Sequence, residues 1–114
     1  MLFTMSLCSF AEDANTDEIN KVERYDIKIN LRRLGTFLDL NTDQIESVES
    51  IENEFHNDLM FAAVENLKDT RISVTRNVIN KHIKHMRYIL NDEQMHKYLI
   101  VLNATVRNRE LLEK

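Results

Sequence analysis

The sequence predicts an all-α protein, a four-helix antiparallel, hairpin-like bundle, and three observations carry that prediction. The 114 residues contain no Pro and a single Gly, Gly35. Sheets need many tight turns, which draw on Gly and Pro, whereas a few long helices with short links need neither. Hydrophobic residues make up 43% and charged residues 30%, which suits helices with one apolar and one wet face and is too apolar for a disordered chain. Apolar residues also recur at threes and fours over four separate stretches. The length allows one domain with one core, here residues 12–114.

The first helix is expected from Thr16 to Leu38. Thr16 can cap it, and Asp17 and Glu18 suit the positive end of its dipole. Its apolar positions are Ile19, Val22, Ile27, Leu31, Leu34 and Leu38, with one slip in the spacing. Gly35 falls near the C-terminal end, where a left-handed cap or a break is expected. The second helix is expected from Thr42 to Lys68, with a stripe of Ile45, Val48, Ile51, Phe55, Leu59, Ala62, Ala63 and Leu67. The third runs from Ile72 to Ile89, with Ile72, Ile79, Ile83, Met86 and Ile89 inward. Its β-branched start favours fraying or a later beginning. The fourth runs from Asp92 to Leu112, with Met95, Tyr98, Leu99, Leu102 and Val106 inward. Short links make antiparallel neighbours the default. Between Asp39 and Glu65 there are eight acids and no Lys or Arg; between Lys68 and Arg87 there are six bases and one acid. Opposite charges therefore favour pairing the second helix with the third.

Residues 1–11, MLFTMSLCSFA, form an apolar stretch ending in small residues. Ser9-Phe10-Ala11 fits a signal-peptidase site with the cut before Glu12. The charged start of a signal peptide is missing, so Met1 would lie inside a longer one. The expected location is periplasmic or otherwise exported. Cys8 is the sole cysteine, and removal of the segment would leave no thiol for disulfide, catalytic or metal chemistry.

One short pattern occurs twice. Leu40-Asn41-Thr42-Asp43-Gln44-Ile45 is matched fifty residues on by Leu90-Asn91-Asp92-Glu93-Gln94-Met95. Each reads Leu-Asn-x-x-Gln-apolar. The Asn side chain can accept from a first-turn amide, and the Gln can reach back to the amide of the Asn, closing a capping box. The preceding Leu can staple onto the first turns, and the acids favour the helix dipole. This pair of elements resembles the LTxxQ motifs of the Spy- and CpxP-type periplasmic proteins, each of which opens a helix. Asn41 and Asn91 stand where the motif has Thr, and Asn caps at least as well. The resemblance covers Asp39 to Arg109. It implies a hairpin-like helical fold that dimerises into a thin, curved cradle. It also implies ATP-independent chaperone or envelope-stress activity toward unfolded client proteins, with no cofactor and no catalytic residues.

The net charge of −4 departs from that family, whose concave face is typically basic. A basic face is nevertheless available for a protein partner. Lys21, Arg24, Lys28 and Arg32 would follow one side of the first helix, and Lys81, Lys84 and Arg87 lie on the third. The acidic balance argues against nucleic acid as a partner. No run of eighteen apolar residues suggests a membrane-spanning helix.

No metal site is predicted. His56, His82, His85 and His96 read as surface residues; His82 and His85, three apart, are the one pair that could begin a site, but no third ligand is fixed by spacing. There is no glycine-rich phosphate loop and no nucleophile elbow. Pairs such as Glu46 and Glu49 are ordinary exposed carboxylates. The sequence therefore predicts a non-enzymatic binding protein, either chaperone-like or a structural module docking on one dedicated partner.

Overall fold

A computed structural model describes residues 21–112, and they form an all-helical fold. The signal-like segment and the expected cap at Thr16 lie outside the described residues. Helix α1 is described over residues 21–25, followed by α2 (Leu31–Leu38), α3 (Thr42–Ala63), α4 (Lys68–Ile89) and α5 (Asp92–Asn108). Strands are absent among the described residues. The molecule is thin, 54 × 32 × 20 Å, and its shortest dimension admits two layers of helix.

The frame is the α3–α4 hairpin. Each of its helices has 22 residues, about 33 Å of rise. Antiparallel register follows from the contacts along the seam. Arg71 Nη1 donates to the Glu65 carbonyl at the turn (2.9 Å), Lys81 sits between Glu54 and Asp58 midway (3.1 and 2.8 Å), and Gln44 reaches Ile89 at the far end. The acidic and basic stretches of the sequence thus meet at Lys81. The two carboxylates, Asp58 first, raise the Lys81 pKa by bonding to its charged form. Lys81 and Glu54 are well exposed and Asp58 is half-buried, so the contact orders the seam more than it stabilises it.

The first helix departs from expectation. It is not continuous from Thr16 to Leu38, because residues 26–30 are non-helical. The break coincides with the slip in apolar spacing between Val22 and Ile27. A continuous helix would turn Tyr25 and Ile27 to different faces, whereas the break buries both, at 0% and 7% exposure. Asn30 then restarts the helix, its side chain accepting from the Arg33 amide at 3.1 Å.

Gly35 supplies neither the break nor the cap; it is buried inside α2 with a negative φ. The left-handed residue is Asp39 (φ 57°, ψ 52°). The Leu40 amide donates to the Gly35 carbonyl (2.9 Å) and the Asp39 amide to that of Thr36 (3.3 Å), a Schellman closure. A Cβ on Gly35 would meet Ile45 at 3.7 Å, an ordinary contact. Gly35→Ala is therefore expected to stabilise the fold by about 0.5–1 kcal/mol, through a stiffer unfolded chain and better helix propensity. Thermal denaturation checks this, and a lowered Tm would contradict it.

Helix α3 stops at Ala63, short of the expected Lys68, and Leu67 leaves the stripe to become 67% exposed. Helix α4 begins early, at Lys68. Its β-branched start holds because Thr75 is fully buried and donates to the Arg71 carbonyl at 2.7 Å. Helix α5 ends at Asn108, before Leu112, since Glu110 turns left-handed (φ 53°). The Leu111 amide then bonds to the Val106 carbonyl (3.1 Å), and Leu111 is wholly buried. Tyr25, also wholly buried, donates to the Leu111 carbonyl at 3.1 Å, and Arg109 donates to the Glu23 carbonyl at 2.7 Å. These two bonds tie the end of α1 to the turn after α5.

Candidate functional site

Both Leu-Asn-x-x-Gln elements open helices as the sequence predicts. Asn41 Oδ1 accepts from the Gln44 amide (2.8 Å), and the Asn41 amide donates back to Gln44 Oε1 (3.0 Å). Asn91 and Gln94 repeat the arrangement with the same two distances. Leu90 and Met95 lie in the core, and Leu40 packs against it.

The structure also joins the two boxes, which the sequence does not reveal. Gln44 Nε2 donates to Gln94 Oε1 (2.8 Å), and Gln94 Nε2 donates to Gln44 Oε1 (3.2 Å). The remaining hydrogen of each amide goes to the end of the other element's preceding helix, to one carbonyl from Gln44 and shared between two from Gln94. Gln44 donates to Ile89 (3.0 Å), and Gln94 to Leu38 (3.1 Å) and Asp39 (3.3 Å). Asp39 and Ile89 are themselves fifty residues apart, so the arrangement has internal two-fold character. Each amide uses both donors and both acceptor positions, its full capacity. One clasp thereby closes the α2–α3 junction, the α4–α5 junction and the contact between them. Gln94 is only 7% exposed, so an unmade bond there would be costly.

A second polar cluster lies in the core. Tyr98 on α5 hydrogen-bonds to Glu52 on α3 (2.8 Å) and to His82 Nε2 on α4. The His82 ring stacks on Phe55 at 3.9 Å between centroids. Exposure is 8% for Glu52, 2% for His82 and 1% for Tyr98. Burial pushes the Glu52 carboxyl up to about 7, against which its Tyr98 hydrogen bond works. Burial pushes His82 down to about 3, helped by the nearby His85. Burial and the neighbouring carboxyl hold the Tyr98 hydroxyl well above its ordinary value. All three groups are thus uncharged in mildly acidic solution. Glu52 also borders a half-open cleft of about 260 Å³ whose walls include Ile27, Ile29, Leu31, Lys28, Glu49 and His56. At its rim His56 Nε2 pairs with Asp26 at 2.6 Å, a bond that lowers the Asp26 pKa.

The histidines need correction on one point. His82 is not a surface residue, because its ring fills a slot between Phe55 and Tyr98. His85, three residues on, is half-buried and faces Glu54 at 3.6 Å. The two therefore take different partners. Among the described residues no group of three or more His, Cys, Asp or Glu could hold a metal ion.

The basic residues also divide differently from the expected stripe. Lys21 and Arg24 belong to α1, Lys28 to the extended segment and Arg32 to α2, so no single helix carries them. Arg24 lies over the Tyr25 ring at 5.8 Å. On α4, Lys81 is held by two carboxylates, while Lys84 and Arg87 are exposed. Large apolar side chains are exposed at the α3–α4 turn: Phe61 at 80%, Val64 at 59% and Leu67 at 67%. No described helix is long and apolar enough to cross a membrane.

Comparison with protein-family models, with curated proteins and with solved structures finds no match for the chain.

Proposed function

We propose that this chain is an exported, non-enzymatic helical protein that binds other proteins, of the kind that the LTxxQ periplasmic chaperones exemplify. The observation that carries the reading is the pair of Leu-Asn-x-x-Gln capping boxes, fifty residues apart and joined amide to amide through Gln44 and Gln94. Both boxes lie at the end of the bundle where α3 and α5 start, and there the two amides pair. A thin fold with exposed Phe61, Val64 and Leu67 is consistent with a surface that holds unfolded clients. The proposed assembly is a cradle-shaped dimer of hairpin-like bundles, with Lys28, Arg32, Lys84 and Arg87 available for acidic segments of a client. No cofactor is required for such holding.

A second reading is a structural module that docks on one dedicated partner. It is favoured by the grouping of Phe61, Val64 and Leu67 at the turn between α3 and α4, although Phe37, Tyr88 and Ile100 are also exposed elsewhere. An aggregation assay with a chemically unfolded client separates the two. The chaperone reading expects suppression at a few-fold molar excess without ATP, weakened by Phe61→Asp. No suppression of several unrelated clients would sink it and leave the dedicated-partner reading.

A further inference from the structure

Three helices meet through one chain of hydrogen bonds, and that chain has two unused ends. Tyr98 OH lies between Glu52 Oε2 and His82 Nε2. Glu52 Oε1 and His82 Nδ1 are buried without a hydrogen-bond partner among the described residues, and Glu52 Oε1 stands 3.7 Å from His82 Nε2, too far for a hydrogen bond. A tyrosine hydroxyl has a single hydrogen, so the chain must point one way or the other. With Glu52 ionised, Tyr98 donates to the carboxylate and accepts from Nε2–H of His82. With Glu52 protonated, the carboxyl donates to Tyr98, Tyr98 donates to Nε2, and the imidazole carries its hydrogen on Nδ1.

We propose that the Glu52–Tyr98–His82 cluster is a one-proton switch that reverses the hydrogen bonds joining α3, α4 and α5. The step balances. A proton arriving at Nδ1 displaces the Nε2 hydrogen to the Tyr98 oxygen, and the original hydroxyl hydrogen passes to Glu52 Oε2. The products are a neutral carboxyl, a neutral tyrosine and a neutral imidazole in its other tautomer. Only one proton is taken from solution, and no group is left charged in the core, where an unpaired charge would cost most. The surroundings suit this. Glu52 is faced by Glu49 and His56 from its own helix and by Lys28 from the extended segment. His82 is flanked by Lys81 and His85 on α4 and by Glu54 and Asp58 on α3. A neutral His82 avoids placing a second cation beside Lys81, and its burial among Phe55 and Tyr98 opposes an imidazolium. The switch works where Glu52 titrates, near pH 7.

The test is nitrogen NMR of the imidazoles in the full chain between pH 5 and 9. The proposal expects the His82 hydrogen to sit on Nε2 at high pH and on Nδ1 at low pH, with the exchange centred near pH 7. In Glu52→Gln the tautomer is expected to stop changing with pH. Should that variant not fold, Tyr98→Phe cuts the chain. The His82 tautomer should then become independent of pH, while carboxyl carbon shifts still report titration of Glu52. A wild-type His82 that keeps one tautomer throughout, or that becomes an imidazolium in this range, overturns the proposal. So does a tautomer exchange that survives Tyr98→Phe.

Discussion

Replacing Gln94 with Ala is expected to destabilise the fold by roughly 2–4 kcal/mol, more than any single capping residue. A capping Gln at a free helix start gives up one bond to its cap. Gln94 gives up that bond and four others, to and from Gln44 and to the Leu38 and Asp39 carbonyls. The loss strands groups on both junctions, and the site is too enclosed for water to replace every partner. Gln94→Glu should fare no better. It keeps the acceptor for the Asn91 amide but loses both donors, and it sets a carboxylate against the Leu38 and Asp39 carbonyls. Urea denaturation of both variants checks this. A loss near that of Asn41→Ala, about 1 kcal/mol for an exposed cap, would mean that the clasp adds nothing beyond its boxes.

The second large effect is the pH dependence set by the core cluster. Glu52 keeps its proton to about pH 7 when folded and releases it near 4.5 when unfolded. Between those values the folded chain holds the extra proton, so this group's contribution falls as pH rises and is lost above about 7. His82 acts in the opposite sense. Its folded value of about 3 lies below the ordinary 6.5, so its contribution is present above 6.5 and disappears as pH falls toward 3. The two slopes oppose each other between 4.5 and 6.5. Wild-type stability is therefore expected to be nearly flat across that interval and to drop steeply below it. Glu52→Gln removes one slope and exposes the other. The variant should gain roughly 2–3 kcal/mol over wild type at pH 8 and little at pH 4, and its stability should fall steadily from pH 6.5 downward. Denaturation midpoints at a series of pH values read this directly. A variant that is less stable at pH 8, with an unaltered profile, would contradict a Glu52 carboxyl raised by burial.

Local features were the legible ones. The capping boxes depend on residues three apart, so Asn41, Gln44, Asn91 and Gln94 could be placed at helix starts by spacing alone. The union of the two boxes depends on how α2–α3 packs on α4–α5, and spacing does not encode that. The break before α2 was half visible: the slip between Val22 and Ile27 fell beside it, but the cap at Asn30 was not anticipated. Gly35 drew attention away from it, because Asp39 tolerates the left-handed conformation itself.

The polar core was missed for a clear reason. Hydropathy patterns send Glu52, Thr75 and His82 outward, although they occupy core positions of regular stripes. Arg71, Thr75, Ile79, His82 and Met86 follow one another at fours and threes, and Val48, Glu52, Phe55 and Leu59 do the same. Each polar side chain enters the core to meet a partner on another helix, as Glu52 and His82 meet Tyr98. Of the expected inward set of α4, Ile79 and Met86 are buried, whereas Ile72, Ile83 and Ile89 are only half-buried, each lying beside the buried Arg71, His82 or Leu90.

A double-mutant cycle on Gln44 and Gln94 measures the clasp itself. Gln44→Ala and Gln94→Ala are compared singly and together by urea denaturation. Two amides that exchange hydrogen bonds in both directions should show a coupling of about 1–2 kcal/mol, with the double variant losing less than the two single losses combined. Losses that add to within about 0.3 kcal/mol would contradict a joined pair and leave two independent capping boxes.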